Sequence, residues 1–562
     1  MTTTAAPNAN IARHLALMAA ASPARDALKI PRGRTRTGDI DYLTLTFAEL
    51  DAEVTAWTGR LAAAGVCRGD RTLVMVRQGL PLMAAAFALF RLGAVPVIID
   101  PGMGRKNFLS CVARSRPRAV VGILIARLVS RLFRTAFSSV HVRVAASGSL
   151  TARLTAPGAQ PSAPDSELAV SRASDLAAIV FTSGSTGAPK GVCYEHGMFD
   201  AQVRLILDTY GIAPGEFDLP LLPIFALFNP ALGMTTIVPE IDPRHPADVD
   251  PAKIVQAIQQ ENVTNSFGSP TLWKKIGDHC RAQNLALSTL RRVLCAGAPV
   301  PAALWKNSGA FLPNGKLHSP YGATEALPIA TVSADEIESL ATSHSSLVTA
   351  PLAGLGACVG RPIREIDVKI IAIADTPLAT LADTRELSRG EIGEIIVRGP
   401  VVTETYDTLP EATAAAKILD NAVVWHRMGD CGYLDADGRL WFVGRKAERV
   451  EIGSVTLHTE PCEQVFRQHP RVTRCALVGL GERSRLRPAV IIEADVKDSA
   501  EARPFARELR ALALAHPYTT PIKTFYFHPD FPVDVRHNAK IHRLTLAQWA
   551  TTAKGFEIDA KR

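Results

Sequence analysis

The segment IVFTSGSTGAPKG at residues 179–191 constrains the fold more than any other part of the chain. An unbroken apolar run leads directly into small, hydroxylated and glycine residues and ends on Pro-Lys. A short run with no polar alternation reads as a strand buried on both faces, and such strands belong to parallel sheets covered by helices. The first 170 residues alternate accordingly. Leu50 to Ala64 has helical spacing, Arg71 to Val76 reads as a short strand, Leu80 to Leu92 as an apolar helix, and Ala94 to Ile99 as a second buried strand. The expected fold class is therefore α/β.

The loop has its own chemistry. Gly184 and Gly187 allow tight backbone and close approach to an anion, and Thr182, Ser183, Ser185 and Thr186 supply hydroxyl donors. Lys190 adds a mobile positive charge. Together they suit a polyphosphate. The loop is not a Walker A motif, because Gly191 rather than Ser or Thr follows Lys190. Composition agrees: 47% hydrophobic and 21% charged residues exclude a disordered or fibrous chain. A net charge of +8 over 562 residues suits anionic ligands but is too diffuse for nucleic acid. The nine cysteines include no C-x-x-C pair, and their odd number fits reduced thiols in the cytoplasm. The N-terminus lacks the pattern of a signal peptide, and no apolar run is long enough to span a membrane.

Further along, Leu176 to Phe181, Phe217 to Pro223, Asn265 to Gly268 and Arg292 to Cys295 read as strands. Residues 145–170 read as a surface connection, residues 376–392 as a polar stretch, and Gly390 to Val397 as a turn and a strand. Trp441 to Gly444 ends another strand. After Arg445 the character resets to a small α+β unit, so the expected division is 1–445 and 446–562. In that unit strands are expected at Arg449 to Ile452, near Ala476 and Val490, and at Thr524 to Phe527, with helices at Pro461 to Gln468 and Pro504 to Ala515. Ala119 to Phe137 reads as a strand followed by a surface helix. Arg127, Arg131 and Arg134 share one face of that helix, which also suits a peripheral membrane contact.

Residues 182–191 match the T-S-G-S-T-G-x-P-K-G loop throughout, and on them the chain resembles the adenylate-forming superfamily of acyl-CoA ligases, luciferases and peptide-synthetase adenylation domains. The resemblance implies ATP and Mg²⁺ as cofactors, a large N-terminal domain of stacked sheets and a small mobile C-terminal domain. YGATE at 321–325 is similar to the family's Y-G-x-T-E. Tyr321 then offers a face for adenine, Gly322 follows it, Thr324 donates to the α-phosphate, and Glu325 holds Mg²⁺ together with Thr182. Gly297, Ala298 and Pro299 resemble the segment bordering the adenine, Asp430 the acid that binds ribose hydroxyls, and Arg445 the arginine near ribose and phosphate. Lys540 matches the family's C-terminal lysine, whose charge bridges carboxylate and nucleotide during adenylation.

Three positions depart from the common pattern: Ala539 for the glycine before the lysine, Ala447 for a polar hinge residue, and Ala226 for a common histidine. These, with PVDVRHNAKI, FALFNPALGMT and GRKA, resemble the branch of bacterial olefin-pathway β-lactone synthetases. That likeness implies a 2-alkyl-3-hydroxy fatty acid as substrate, closure of a β-lactone, and assembly with other olefin-pathway enzymes. Apolar segments at Phe225 to Met234 and Ala326 to Ile329 are expected to form the acyl pocket, and His196 is a weak candidate for the base that takes the 3-hydroxyl proton. The rival readings are an acyl-CoA ligase, a peptide-synthetase-type adenylation subunit and a nucleotide sensor without turnover.

Overall fold

The computed structural model describes residues 8–146, 168–182, 188–242, 245–343, 355–482, 485–496, 498–533 and 540–559. The expected connection at 145–170 falls largely outside them, as do loop residues Ser183, Gly184, Ser185, Thr186 and Gly187.

The first layer is a six-stranded sheet in the order Val142–Ala145, Ala119–Gly122, Arg71–Met75, Val95–Ile98, Leu176–Thr182, Lys190–Glu195. The first five run parallel and the last turns back antiparallel. Their residues point alternately to two cores. Val74 and Ala178 meet Leu50, Trp57 and Phe87, whereas Leu73, Val97 and Ile179 meet Phe108, Val112 and Phe137. Burial on both sides is why these strands read as unbroken apolar runs. The helix Phe47–Ala63 opens on a capping box in which Glu49 N–H donates to Thr46 Oγ1 and Thr46 N–H donates to the Glu49 carboxylate.

A second sheet of fourteen strands runs alongside. One end is the hairpin Asp26–Arg34 and Ile40–Thr46. Its middle is parallel, through Phe217–Asp218, Asn265–Gly268, Arg292–Cys295 and Lys316–Ala323. The far half is antiparallel, through Ala326–Ser333, Ala357–Pro362, Leu440–Arg445, Val423–Leu434 and Gly393–Arg398. The strand expected over Phe217 to Pro223 stops at Asp218, because Pro220 and Pro223 cannot donate to a ladder.

Residues from Val450 onward build a separate four-stranded sheet, Cys475–Leu480, Arg487–Glu493, Thr524–His528 and Phe556–Glu557. Helices Thr459–Phe466 and Ser499–Leu514 cover it, with Phe466, Phe505 and Phe525 fully buried between them. The second helix begins earlier than the expected Pro504, since Asp498 caps Ala500 and Glu501 from an extended conformation. Among the described residues no helix is long and apolar enough to cross a membrane.

Among the described residues His196, His426 and His458 are buried and His318 is half-buried, and burial disfavours the charged form of all four, that of His426 most strongly. Burial pushes His196, His318 and His458 down to about 4. The unfolded chain takes up these protons near pH 6.5, which the fold refuses until about pH 4, so stability falls as pH drops through that window. The unfolding free energy from denaturant titrations should therefore decline from pH 7.5 to pH 5, by on the order of 1–2 kcal/mol per histidine. A His196→Gln variant should show a shallower decline than the parent; an equal slope would mean that His196 is not held neutral.

Candidate active site

The segment YGATE lies at the turn of the antiparallel hairpin Lys316–Ala323 and Ala326–Ser333. A Cβ on Gly322 would come within 2.6 Å of the Ala326 carbonyl oxygen, so the tight turn needs glycine there. The turn directs Tyr321 and Glu325 to two different polar clusters.

The first cluster centres on Asp430. The register of Val423–Leu434 against Leu440–Arg445 sets Asp430 opposite Arg445, and Arg445 Nη1 lies 2.7 Å from Asp430 Oδ1. Tyr321 O–H donates to Oδ2 at 2.6 Å. Asp430 is only 3% exposed. Burial pushes its carboxyl up, opposed by Arg445, by the Tyr321 hydrogen bond and by the charge of Lys540. Tyr321 is in turn raised far above an ordinary phenol, by burial and then by Asp430, and keeps its proton. The approach of Arg445 is a charge contact without hydrogen-bond alignment, and Oδ1 is left buried with no hydrogen-bond donor. A carboxylate with an unfilled acceptor beside a guanidinium suits a vicinal diol next to a phosphate.

Lys540 is exposed and close enough to Asp430 for its charge to act there. Beside it, Ile541 bridges Val533 and His542 N–H donates to Pro532 O at 2.9 Å. Three positions on, Arg543 donates to both Glu463 oxygens at 2.8 Å and to Glu448 at 3.1 Å. Ala539 lies outside the described residues. Ala447 sits in the turn Lys446–Glu448, where its neighbours make the polar contacts: Lys446 to Glu394 at 3.0 Å, Glu448 to Arg543.

The second cluster surrounds Glu325. Tyr406 O–H donates to Glu325 Oε1 at 2.7 Å, and Thr403 N–H donates to the Glu325 carbonyl at 2.8 Å. Lys190 stands 4.7 Å from the centre of the Tyr406 ring. Lys190 pairs with Thr182 in the strand register, so the two ends of the hydroxyl loop are held together. The Thr324 carbonyl accepts from Tyr194 O–H at 2.6 Å. Glu325, Lys190 and the loop ends thus share one neighbourhood through Tyr406. Among the described residues no group of three or more acidic, His or Cys side chains forms a metal cage. A lone carboxylate beside a polyphosphate is nevertheless how Mg²⁺ is commonly held, and Glu325 fits that arrangement.

Gly297 and Ala298 form a bend directly after Arg292–Cys295, with Gly297 at φ +101°. The Leu294–His318 pairing brings this bend, with the exposed Pro299 after it, alongside Tyr321. The expected acyl segments are divided. Leu227, Leu232, Met234, Ala326 and Ile329 are spent in the core, while Phe225 and Phe228 remain half-buried in an aromatic row, Phe225 stacked on Phe267 at 3.7 Å. His196 is structural: its Nδ1 accepts the Ile11 amide at 3.2 Å.

Three residues with no motif of their own belong to this site. Tyr406 links Glu325 to Lys190. Tyr194 fixes the YGATE backbone. Lys417, 7% exposed, donates to Thr403 Oγ1 at 3.3 Å and to its carbonyl, and burial pushes its amine down to about 7 against the pull of Glu325. A lone Tyr or Lys carries no signal in a single sequence.

The pattern of AMP-binding enzymes matches residues 19–407. Olefin beta-lactone synthetases of Xanthomonas campestris and Stenotrophomonas maltophilia are each 42% identical over 96% of this chain, and the match covers 97% and 98% of those proteins. The chain belongs to the AMP-binding, adenylate-forming enzyme family. It is an ATP-dependent, AMP-forming ligase. The amide bond synthetase McbA of Marinactinospora thermotolerans, at 24% identity, shares the fold with a TM-score of 0.74, covering 97% of this chain and 100% of that one.

Two substitutions separate the clusters. Asp430→Asn should weaken ATP binding about tenfold or more by removing the charged acceptor. Tyr406→Phe should leave ATP binding nearly intact but raise the Mg²⁺ concentration needed for half-maximal pyrophosphate release. Calorimetric titration and a metal-dependence assay check the pair, and equal loss of ATP affinity in both would merge the two clusters into one.

Proposed function

We propose that the protein adenylates a 2-alkyl-3-hydroxy fatty acid and closes it to a β-lactone. The observation that carries this reading is the match over 96% of the chain to two olefin beta-lactone synthetases, spanning residues on both sides of Arg445. The Asp430 and Glu325 clusters support its first half.

ATP is consumed as a substrate. Tyr321 and the bend at Gly297 to Pro299 hold the adenine, Asp430 accepts from the ribose hydroxyls, and Arg445 lies where ribose and phosphate meet. Thr182, Ser183, Gly184, Ser185, Thr186 and Gly187 with Lys190 cradle the phosphates, and Thr324 donates to the α-phosphate. Glu325 and Thr182 would hold Mg²⁺, which when bound neutralises charge on the phosphate oxygens. The substrate carboxylate attacks the α-phosphorus and pyrophosphate leaves. Lys540 stabilises the charge shared between carboxylate and phosphorus in that step.

The second half needs no outside nucleophile. The 3-hydroxyl oxygen attacks the activated carbonyl carbon, the bond to phosphate oxygen breaks, AMP departs, and the hydroxyl proton is released as the four-membered ring closes. Proximity replaces a second substrate. Ala226, buried at 8% exposure, stands where CoA-using relatives commonly carry a histidine, and this favours closure over thiol attack. Residues 446–562 act as the mobile unit that brings Lys540 to the site, and assembly with enzymes that make the hydroxy acid or consume the lactone fits the same reading.

Incubation with ATP, Mg²⁺ and a 2-alkyl-3-hydroxy acid, followed by mass spectrometry, should give the acid minus water with or without CoA. A thioester formed only with CoA would replace this reading by an acyl-CoA ligase. Lys540→Ala should slow pyrophosphate release by roughly 10²-fold while ATP affinity stays within about twofold. Equal loss in both would show that Lys540 serves nucleotide binding instead.

A further inference from the structure

The helix Leu124–Leu132 is packed inside out. It follows the buried strand Ala119–Gly122 and rests on the sheet through small residues, Ala126 at 1% exposure and Ser130 at 0%. The approach is close: a Cβ on Gly122 would meet Ala126 Cβ at 2.8 Å. The large aliphatic side chains point outward, with Leu124 65%, Ile125 67%, Leu128 52% and Leu132 76% exposed. At about 100° per residue these four occupy a single arc roughly a quarter of the helix wide, and Arg131 borders it. Of the three arginines expected to share one face, Arg127 and Arg131 do so on this helix and Arg134 does not. The helix ends at Leu132, before Arg134, and leucines occupy the outer arc because small residues are used for packing.

The surrounding charge is one-sided. Residues 101–146 contain nine Lys or Arg residues and no Asp or Glu. Arg105, Lys106, Arg116, Arg131 and Arg134 are exposed. An aliphatic ridge rimmed by cations on a short amphipathic helix complements the anionic surface of a lipid bilayer, where leucines enter the acyl boundary and arginines meet headgroup phosphates. An acidic protein partner would satisfy the cations, but a contiguous ridge of more than half-exposed Leu124, Ile125, Leu128 and Leu132 bordered by arginine is better matched to a fluid apolar layer under anionic headgroups. We infer that Leu124–Leu132 docks the protein reversibly on anionic membrane surfaces.

The position suits a lipid-handling enzyme. The helix leaves the C-terminal edge of the same parallel sheet from which the phosphate loop departs after Thr182, with two strands between. At about 4.8 Å per strand the two departures are roughly 15 Å apart. The inference rests on the exposed helix and its charge and is independent of whether the product is a lactone.

Sedimentation of the full-length protein with phosphatidylcholine vesicles, and with vesicles that also contain phosphatidylglycerol, tests it. Binding is expected to the anionic vesicles and to weaken with salt. Leu124→Glu/Leu128→Glu/Leu132→Glu should reduce it at least tenfold, and Arg131→Ala/Arg134→Ala should remove the preference for phosphatidylglycerol. Leu128→Gln alone, the mildest change, should lower binding without altering the circular dichroism spectrum, and adenylation of a short soluble acid should be unchanged in all three. A parent protein that stays in the supernatant with both vesicles would overturn the inference. So would a Leu-to-Glu variant that sediments as the parent does, or one whose only change is a lower mass by light scattering, which would make the ridge a contact between copies.

Discussion

The register between Val423–Leu434 and Leu440–Arg445 is the constraint on which the site depends. It places a carboxylate and a guanidinium from adjacent strands face to face inside the protein, and a tyrosine from a third strand completes the set. A buried ion pair contributes little net stability, because desolvation offsets most of the attraction. What it contributes here is position. Asp430 stays ionisable at 3% exposure only because Arg445, Tyr321 and Lys540 oppose the effect of burial. A one-residue slip of either strand would turn its side chain to the opposite face and separate the pair.

The second cluster works by a different principle. Tyr406 is the shared neighbour of Glu325 and Lys190, through its hydroxyl in one case and its ring face in the other. An anionic and a cationic group are thereby kept near one another without pairing. Each retains the capacity to meet phosphate or metal from its own side. Lys417, buried beyond them, adds a charge that burial disfavours. Whatever fills the space between these groups changes how easily that amine holds its proton.

Much of this architecture was legible in the sequence, for physical reasons. Strands buried on both faces announce themselves as apolar runs, so Arg71–Met75, Leu176–Thr182 and Arg292–Cys295 were readable nearly to the residue. The hairpin Asp26–Arg34 with Ile40–Thr46 was not, because its strands are half exposed and mix charged with apolar residues. YGATE could be read alone as a helix start, and only the pairing of Tyr321 with Ala330 shows it to be a hairpin turn. The phosphate loop, the YGATE segment and Lys540 were legible as motifs. Tyr406, Tyr194 and Lys417 were not, since each gains meaning only from a neighbour more than ten positions away in the chain.

The clasp of Arg543 by Glu448 and Glu463 has a mechanical consequence. Glu448 stands three residues after the strand that ends at Arg445 and Glu463 lies in the helix Thr459–Phe466, while the guanidinium stands three residues beyond Lys540. The backbone after Arg445 and the backbone after Lys540 are therefore joined by a charged clasp, so a displacement of one is carried to the other. Loosening the clasp would surface as a timing fault at a centre that neither glutamate touches.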